Sequence, residues 1–276
     1  MPSFSKFTLW PVWLIAQQEL LASFASKRGL FVTSIFILMW TWLLFDPISF
    51  AAEAMKNSDR DSLVLTVLSL MGLESLKNWL LAEFAVYWVV ALYLFPAFSL
   101  LMAADQMISE RKRGGLRFLT LRCSRGQIFL GRFLGHMLIQ VSLLMVTLGI
   151  TYLLLFINNS QYWLQGVQLL PLLLFNLILV ISPFVALMSL LSVVMNSVRM
   201  ASLVAVILLL LGGWVINIAA SYFPFLSLLN YWIPGVQIAQ MAQLSPSAAL
   251  LILWNPAMQT LGFLVLGYGL FKRQEI

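Results

Sequence analysis

Few side chains in this chain could do chemistry, and they are densest in one stretch. Between Asp105 and Gly135 stand Arg111, Lys112, Arg113, Arg117, Arg122, Arg125 and Arg132, seven of the 16 lysines and arginines in 276 residues. Glu110 is the only acid between Gln106 and Gly135. An acid among guanidiniums forms charge-assisted pairs that hold a defined geometry when partly shielded from water. The spacing offers Arg113 and Arg117 as partners for Glu110 within the chain, or a basic groove on another protein. Gly114-Gly115 then allows a sharp turn, and Leu116, Phe118, Leu119 and Leu121 supply an apolar docking face. This is the chemistry of docking, not of bond making.

Bond-making classes lose their parts one by one. Cys123 is the single cysteine and His136 the single histidine, so no Cys/His spacing can hold a metal. There is no G-x-x-x-x-G-K-[ST] phosphate loop, no H-E-x-x-H and no G-x-S-x-G. Carriers driven by protons or sodium bury ionisable groups at mid-membrane; the apolar runs here offer only Glu83 and His136, each near an end. We therefore expect no catalytic residue, no metal site and no cofactor bound by the chain itself.

The elements that position the basic stretch must be membrane helices. The chain is 62% hydrophobic, 9% charged and carries ten tryptophans, the composition of a protein solvated mainly by lipid. A basic residue at a helix centre costs about 2.5–3.5 kcal/mol to insert, so seven of them lie outside the hydrocarbon, and the positive-inside bias turns them to the cytoplasm. Apolar runs of bilayer-crossing length predict six spans, at 29–45, 80–104, 133–157, 169–194, 201–219 and 248–271, the last broken by Asn255-Pro256. Residues 8–28, with Trp13, Leu20, Leu21 and Phe24 on one stripe, predict a helix along the membrane surface. Residues 48–79 form an outer segment whose apolar part, 62–73, is too short to cross, and 221–247 an outer connection of interfacial or re-entrant pieces. In this arrangement thirteen basic residues lie inside and three outside, with both termini cytoplasmic. The net charge of +6 then suits anionic headgroups and an acidic partner surface, not nucleic acid. The fold class is all-α and polytopic, a single transmembrane domain over residues 1–276.

Ile108-Ser109-Glu110-Arg111, Gly114 and Leu116, then Ser124-Arg125-Gly126-Gln127-Ile128 and Gly131-Arg132, resemble the signature of ABC-2 type permeases, membrane subunits of ATP-binding-cassette exporters. That pattern runs roughly I-S-x-E-R-x-x-G-T-L, an apolar stretch, P-x-S-R-x-x-I, then G-K. The chain departs from it with Gly115 for the usual Thr, Arg122 or Cys123 near the usual Pro, and Arg132 for Lys. The motif covers about 30 residues, and the layout of surface helix, six spans and late helical excursion extends the likeness over nearly the whole chain.

The resemblance implies a half-transporter of a bacterial-type cytoplasmic (inner) membrane. It pairs with a second copy or a paralogous permease and is driven by separate cytoplasmic ATPase subunits that hold ATP and Mg. Residues 105–132 become the coupling segment, with Glu110, Arg111, Arg113, Gly114, Leu116, Arg117, Phe118, Leu119 and Arg125 touching the ATPase and Arg199, on the inner loop 195–200, adding a smaller contact. The second and fifth spans face the partner permease and line the pathway, which singles out Tyr87, Tyr93, Pro96, Leu209, Gly212, Gly213 and Asn217. Lipid, glycan, peptide and drug-like substrates all remain open. So do two other classes: a structural or regulatory subunit that binds an ATPase without transporting, and an intramembrane enzyme.

Overall fold

A backbone in hydrocarbon has no partner for its polar groups but itself, so long apolar runs close into helices. The computed structural model describes residues 9–25, 27–45, 79, 81–158 and 160–274, and every regular element among them is helical. In chain order these are α1 Leu9–Ala25, α2 Lys27–Leu43, α3 Ala82–Met102, α4 Ile108–Arg113, α5 Gly115–Thr120, α6 Arg125–Asn158, α7 Trp163–Val194, α8 Val198–Tyr222, α9 Ile238–Ala242, α10 Pro246–Ala249 and α11 Trp254–Arg273. Short 3-10 turns join several of them, the longest being Pro224–Trp232. The outer segment expected at 48–79, with its short apolar stretch at 62–73, lies outside the described residues apart from Trp79.

Four described helical stretches are long and apolar enough to cross a bilayer, or six if each of two bent pairs counts as one span. The four are built on α3, α6, α7 and α8; the bent pairs are α1 with α2 and Pro246–Ile252 with α11, the latter bent by 46°. The break in that last span falls at Leu253, ahead of the expected Asn255-Pro256. Pro256 sits instead in the first turn of α11, where its missing N–H leaves no helical bond unmade.

Helix α7 is the axis of packing. Asn176, Val180, Val185, Ala186 and Met188 are fully buried along it, and α3, α6 and α11 pack around it. Polar side chains fasten these contacts: Ser182 and Thr260 share a hydrogen bond of 2.7 Å, and Tyr87 on α3 and Thr147 on α6 share one of 2.9 Å. The short pieces between α8 and α11 are fastened as well. Trp88 Nε1 donates to Met241 O at 3.2 Å, Asn176 Nδ2 to Pro246 O at 2.9 Å, and Gln259 Nε2 to Tyr231 O at 2.7 Å. Helix α1 lies against the first half of α6 through Val12, Ile15 and Ala16, leaving Trp13 and Leu21 of the expected stripe exposed. The approach is close: a Cβ at Gly131 would stand 2.8 Å from Ile15 Cβ, and one at Gly135 2.6 Å from Glu19 Cβ.

Candidate functional site

The segment after α3 turns twice. A 3-10 turn, Ala103–Asp105, ends the span, and Asp105 accepts from the Ser109 backbone N–H at 2.9 Å and from the Ser109 hydroxyl, fixing the start of α4. Gly114 then takes φ 75°, a left-handed conformation that ends α4 and begins α5 and that suits glycine alone without strain. The result is an elbow of two six-residue helices.

Burial divides the apolar residues of that elbow. Leu116 is 1% exposed, in a small core with Ile15, Met107, Ile128, Phe129, Val193 and Phe271, and Leu119 packs at its edge. Phe118 and Leu121 are 75% and 82% exposed. The four-residue docking face expected from sequence is therefore a two-residue face, because helical periodicity sends the alternate pair inward.

The bases divide in the same way. Arg132, 5% exposed on α6, forms ion pairs with Glu110 and, at 2.5 Å, with Glu19 of α1. Glu110 thus pairs with neither Arg113 nor Arg117, the partners expected from spacing. A guanidinium buried from water needs anionic partners far more than the solvated Arg113 and Arg117 do. Around Glu19, on the helix expected at the membrane surface, burial lifts the carboxyl above its ordinary range while Arg132 draws it down.

Arg111 donates to the Val193 carbonyl at 2.6 Å, to the Met195 carbonyl and to Asn196 Oδ1 at 3.3 Å. Arg125 donates to the carbonyls of Phe271, Lys272 and Gln274 at 3.2, 2.8 and 2.5 Å. Each arginine therefore closes a helix C-terminus, α7 and α11 respectively, where free carbonyls and the helix dipole favour a cation. Lys112, Arg113, Arg117 and Arg122 remain exposed, with no ion pair among the described residues. Exposed Arg199 stands in the first turn of α8, directly after the 195–197 loop that Arg111 grips.

A second site lies among the long apolar helices. Tyr93 and Pro96 from α3, Leu209, Gly213 and Asn217 from α8, Phe184 from α7 and residues 233–236 with Ile238 and Ala239 line a cavity of about 620 Å³. Its lining is mainly apolar; Asn230 Nδ2 donates to Asn217 Oδ1 at 2.7 Å on its wall. Five of the seven expected pathway residues meet there. Tyr87, six residues before Tyr93, points to the opposite side and is fully buried against Thr147. Gly212 and Gly213 make room for Ile233 of the same chain, whose Cδ1 would lie 3.6 and 3.7 Å from added Cβ atoms. The neighbour they admit is thus the connection between α8 and α9, not another long helix.

A family model described as ABC-2 family transporter protein matches residues 13–276, nearly the whole chain. The chain belongs to that family. It is also 30% identical over 139 residues to a protein of Pseudomonas aeruginosa named "Probable ABC transporter permease protein NosY", across 50% of this chain and 43% of that one. The aligned stretch thus spans less than half of that relative.

In this ABC-2 chain two residues that matter to the geometry escaped the sequence reading. Glu19 is an isolated acid in an apolar helix, and its contact was foreshadowed by Gly131 and Gly135, four residues apart on α6, the small-residue spacing that lets helices touch. Asn230 stands in a connection whose fold, a 3-10 helix, follows from no repeat period that the sequence displays.

Proposed function

We propose that this chain is one half of an ATP-driven exporter: six spans, both termini cytoplasmic, α1 at the inner membrane surface, and the elbow α4–α5 as the platform on which a separate cytoplasmic ATP-binding-cassette ATPase docks. ATP and Mg belong to that ATPase. The observation that carries the reading is the elbow itself. Four bases with no ion pair among the described residues and two exposed apolar side chains, Phe118 and Leu121, stand on a frame held by Arg111, Arg125 and Arg132. A topology anchor needs only charge; an elbow held at three points can pass a push from outside the membrane to the spans.

A fuel-bearing partner also follows from magnitude. Moving a gate from 1:99 to 99:1 takes about 5.5 kcal/mol of differential binding, and the chain has no nucleotide loop to supply it. The cavity between α3, α7 and α8 is the pathway in this reading. A second copy or a paralogue covers the bare side of α8.

The test pairs the permease with a cognate ATP-binding-cassette ATPase. Arg113→Glu with Arg117→Glu should leave membrane insertion intact, abolish copurification of the ATPase, and remove the permease's stimulation of ATP hydrolysis. Normal copurification and stimulation by that variant would show the bases to be topology anchors only. The topology has its own check in intact cells: cysteines at Ser160 and Gln243 label from outside, whereas native Cys123 does not.

A further inference from the structure

Helices α6 and α11 touch where Phe129 meets Gly267, so closely that a Cβ added to that glycine would stand 2.7 Å from Phe129 Cζ. Beside the contact lies a groove of about 380 Å³. Ser124, just ahead of α6, lines it with Gly126 and Leu130 of α6 and with Leu261, Val265 and Tyr268 of α11. Leu130 and Leu261 make one end wholly apolar. The other end is polar: the Tyr268 hydroxyl would lie 3.6 Å from a Cβ on Gly126, beside Ser124. Residues 120–130 and 261–274 contain Arg122, Arg125, Lys272 and Arg273 and no acid. Arg125 donates to the last carbonyls of α11 and so ties the two helix ends together at this polar end. Arg122, Lys272 and Arg273 are exposed. Lys272 continues the groove's own stripe, because Leu261, Val265, Tyr268 and Lys272 recur at intervals of four, three and four along α11.

We propose that this groove holds an acyl chain of an anionic phospholipid, with the phosphate against Arg122 and Lys272 at the membrane surface. Basic pockets between membrane helices on the cytoplasmic side recognise anionic headgroups in this way. The long stems of arginine and lysine let the cations reach the headgroup level while the groove below stays apolar. A soluble anion has no use for the floor of Leu130, Leu261 and Val265, and a neutral lipid gains nothing from a rim of cations without an acid. Tyr268, apolar in its ring and polar at its tip, suits the boundary between tail and headgroup. None of the groove residues lines the pathway cavity, so the lipid belongs to the frame and is not cargo. The inference rests on the proposed topology, which sets the junction of α6 and α11 in the cytoplasmic leaflet.

The experiment places the purified permease in phosphatidylcholine nanodiscs containing a small fraction of phosphatidylglycerol whose acyl chain carries a diazirine. Photolabelled peptides are then mapped by mass spectrometry. Label should concentrate on residues 126–130 and 261–268, about tenfold above that from diazirine phosphatidylcholine at the same fraction. Arg122→Gln with Lys272→Gln should cut the phosphatidylglycerol label there about fivefold or more and leave the phosphatidylcholine label unchanged. Lys112→Gln with Arg117→Gln, which removes two exposed bases of the elbow, should change neither. Gly126→Leu puts a side chain into the groove against Tyr268 and should remove label from both lipids. Equal labelling by the two lipids, indifference to Arg122→Gln with Lys272→Gln, or label that persists in Gly126→Leu overturns the proposal. Displacement of the lipid by inorganic phosphate also overturns it, in favour of a soluble anion. Nanodiscs offer the same lipids on both faces, so these outcomes do not depend on orientation; failure of the topology is read separately, from external labelling of Cys123.

Discussion

Helices α7 and α8 are almost equally apolar, yet 78% of the most apolar stretch of α7 is buried and only 6% of that of α8. Hydropathy alone therefore decides that both enter a membrane and says nothing about what they pack against. The difference lies in their minor residues. Helix α7 carries Asn176, Ser182 and Ser189, which bond to the Pro246 carbonyl, Thr260 and Gln106, and Ala186 in between. Helix α8 has Asn217, bonded to Asn230, and buries only Ala201 and Ala205. In lipid, where apolar area drives no association, small and hydrogen-bonding residues mark the packed helix. The bare helix is the one kept for a partner or for lipid.

If that contrast is right, changes on the packed side cost stability and changes on the bare side cost assembly. The largest effect should come from the buried ion cluster that ties α1 and α4 to α6. Arg132→Met leaves Glu19 and Glu110 facing each other without a counter-charge, and removing one partner of a buried pair costs about 3–5 kcal/mol. Scanning fluorimetry in mild detergent should show a sharply lowered melting temperature. Adding Glu19→Gln and Glu110→Gln to Arg132→Met should restore much of it, since the stranded charges are then gone. An unchanged melting temperature for Arg132→Met would mean that the cluster is not part of the frame.

The same division explains what could be read from sequence. Spans were legible from run length and charge, and the basic stretch stood out because seven cations cannot enter hydrocarbon. The start of α6 was not: charge puts 125–132 outside the hydrocarbon without deciding between loop and helix, and α6 begins at Arg125, two turns before Phe133. Nor could spacing reveal that Arg111 and Arg125 close helices more than 80 residues away in sequence, at Val193 and Phe271. Such pairings are decided by where helix ends meet, which no local pattern encodes. The cavity residues Tyr93, Pro96, Leu209, Gly213 and Asn217 were singled out by resemblance, while Tyr87 belongs to the buried side by its position around α3. Tyr93 and Leu209 line one cavity within one chain, so a cross-link between them reports the fold of a single chain and not pairing between copies.

Side-by-side truncations sharpen the contrast at smaller scale. Leu177→Ala on α7 removes a fully buried side chain and should cost about 2–5 kcal/mol. Leu210→Ala on α8 removes one that is 72% exposed and should cost no more than about 0.5 kcal/mol. Melting temperatures of the two variants in the same detergent decide it. Equal losses would mean that α8 is packed in the isolated chain as firmly as α7.

The smallest effect on the single chain should be the most telling for the assembly. Leu203, Ile207, Leu210 and Trp214 recur at intervals of four, three and four along α8, so they form one stripe, 48–72% exposed. Leu209, Gly213 and Asn217 form another stripe that lines the cavity, whose rim Leu210 also reaches from the first stripe. A seven-residue rhythm of large apolar side chains fits interdigitation with a like helix better than contact with fluid tails, which need no spacing at all. Cysteine at Leu210 or Trp214, in a chain with Cys123→Ser, should leave the melting temperature within error and yield a disulfide-linked dimer in native membranes on mild oxidation. Cysteine at Leu153, 58% exposed on α6 but off this stripe, should not. If Leu153 links as readily as Leu210, or Leu210 not at all, the bare face of α8 meets lipid, and the second permease must sit elsewhere.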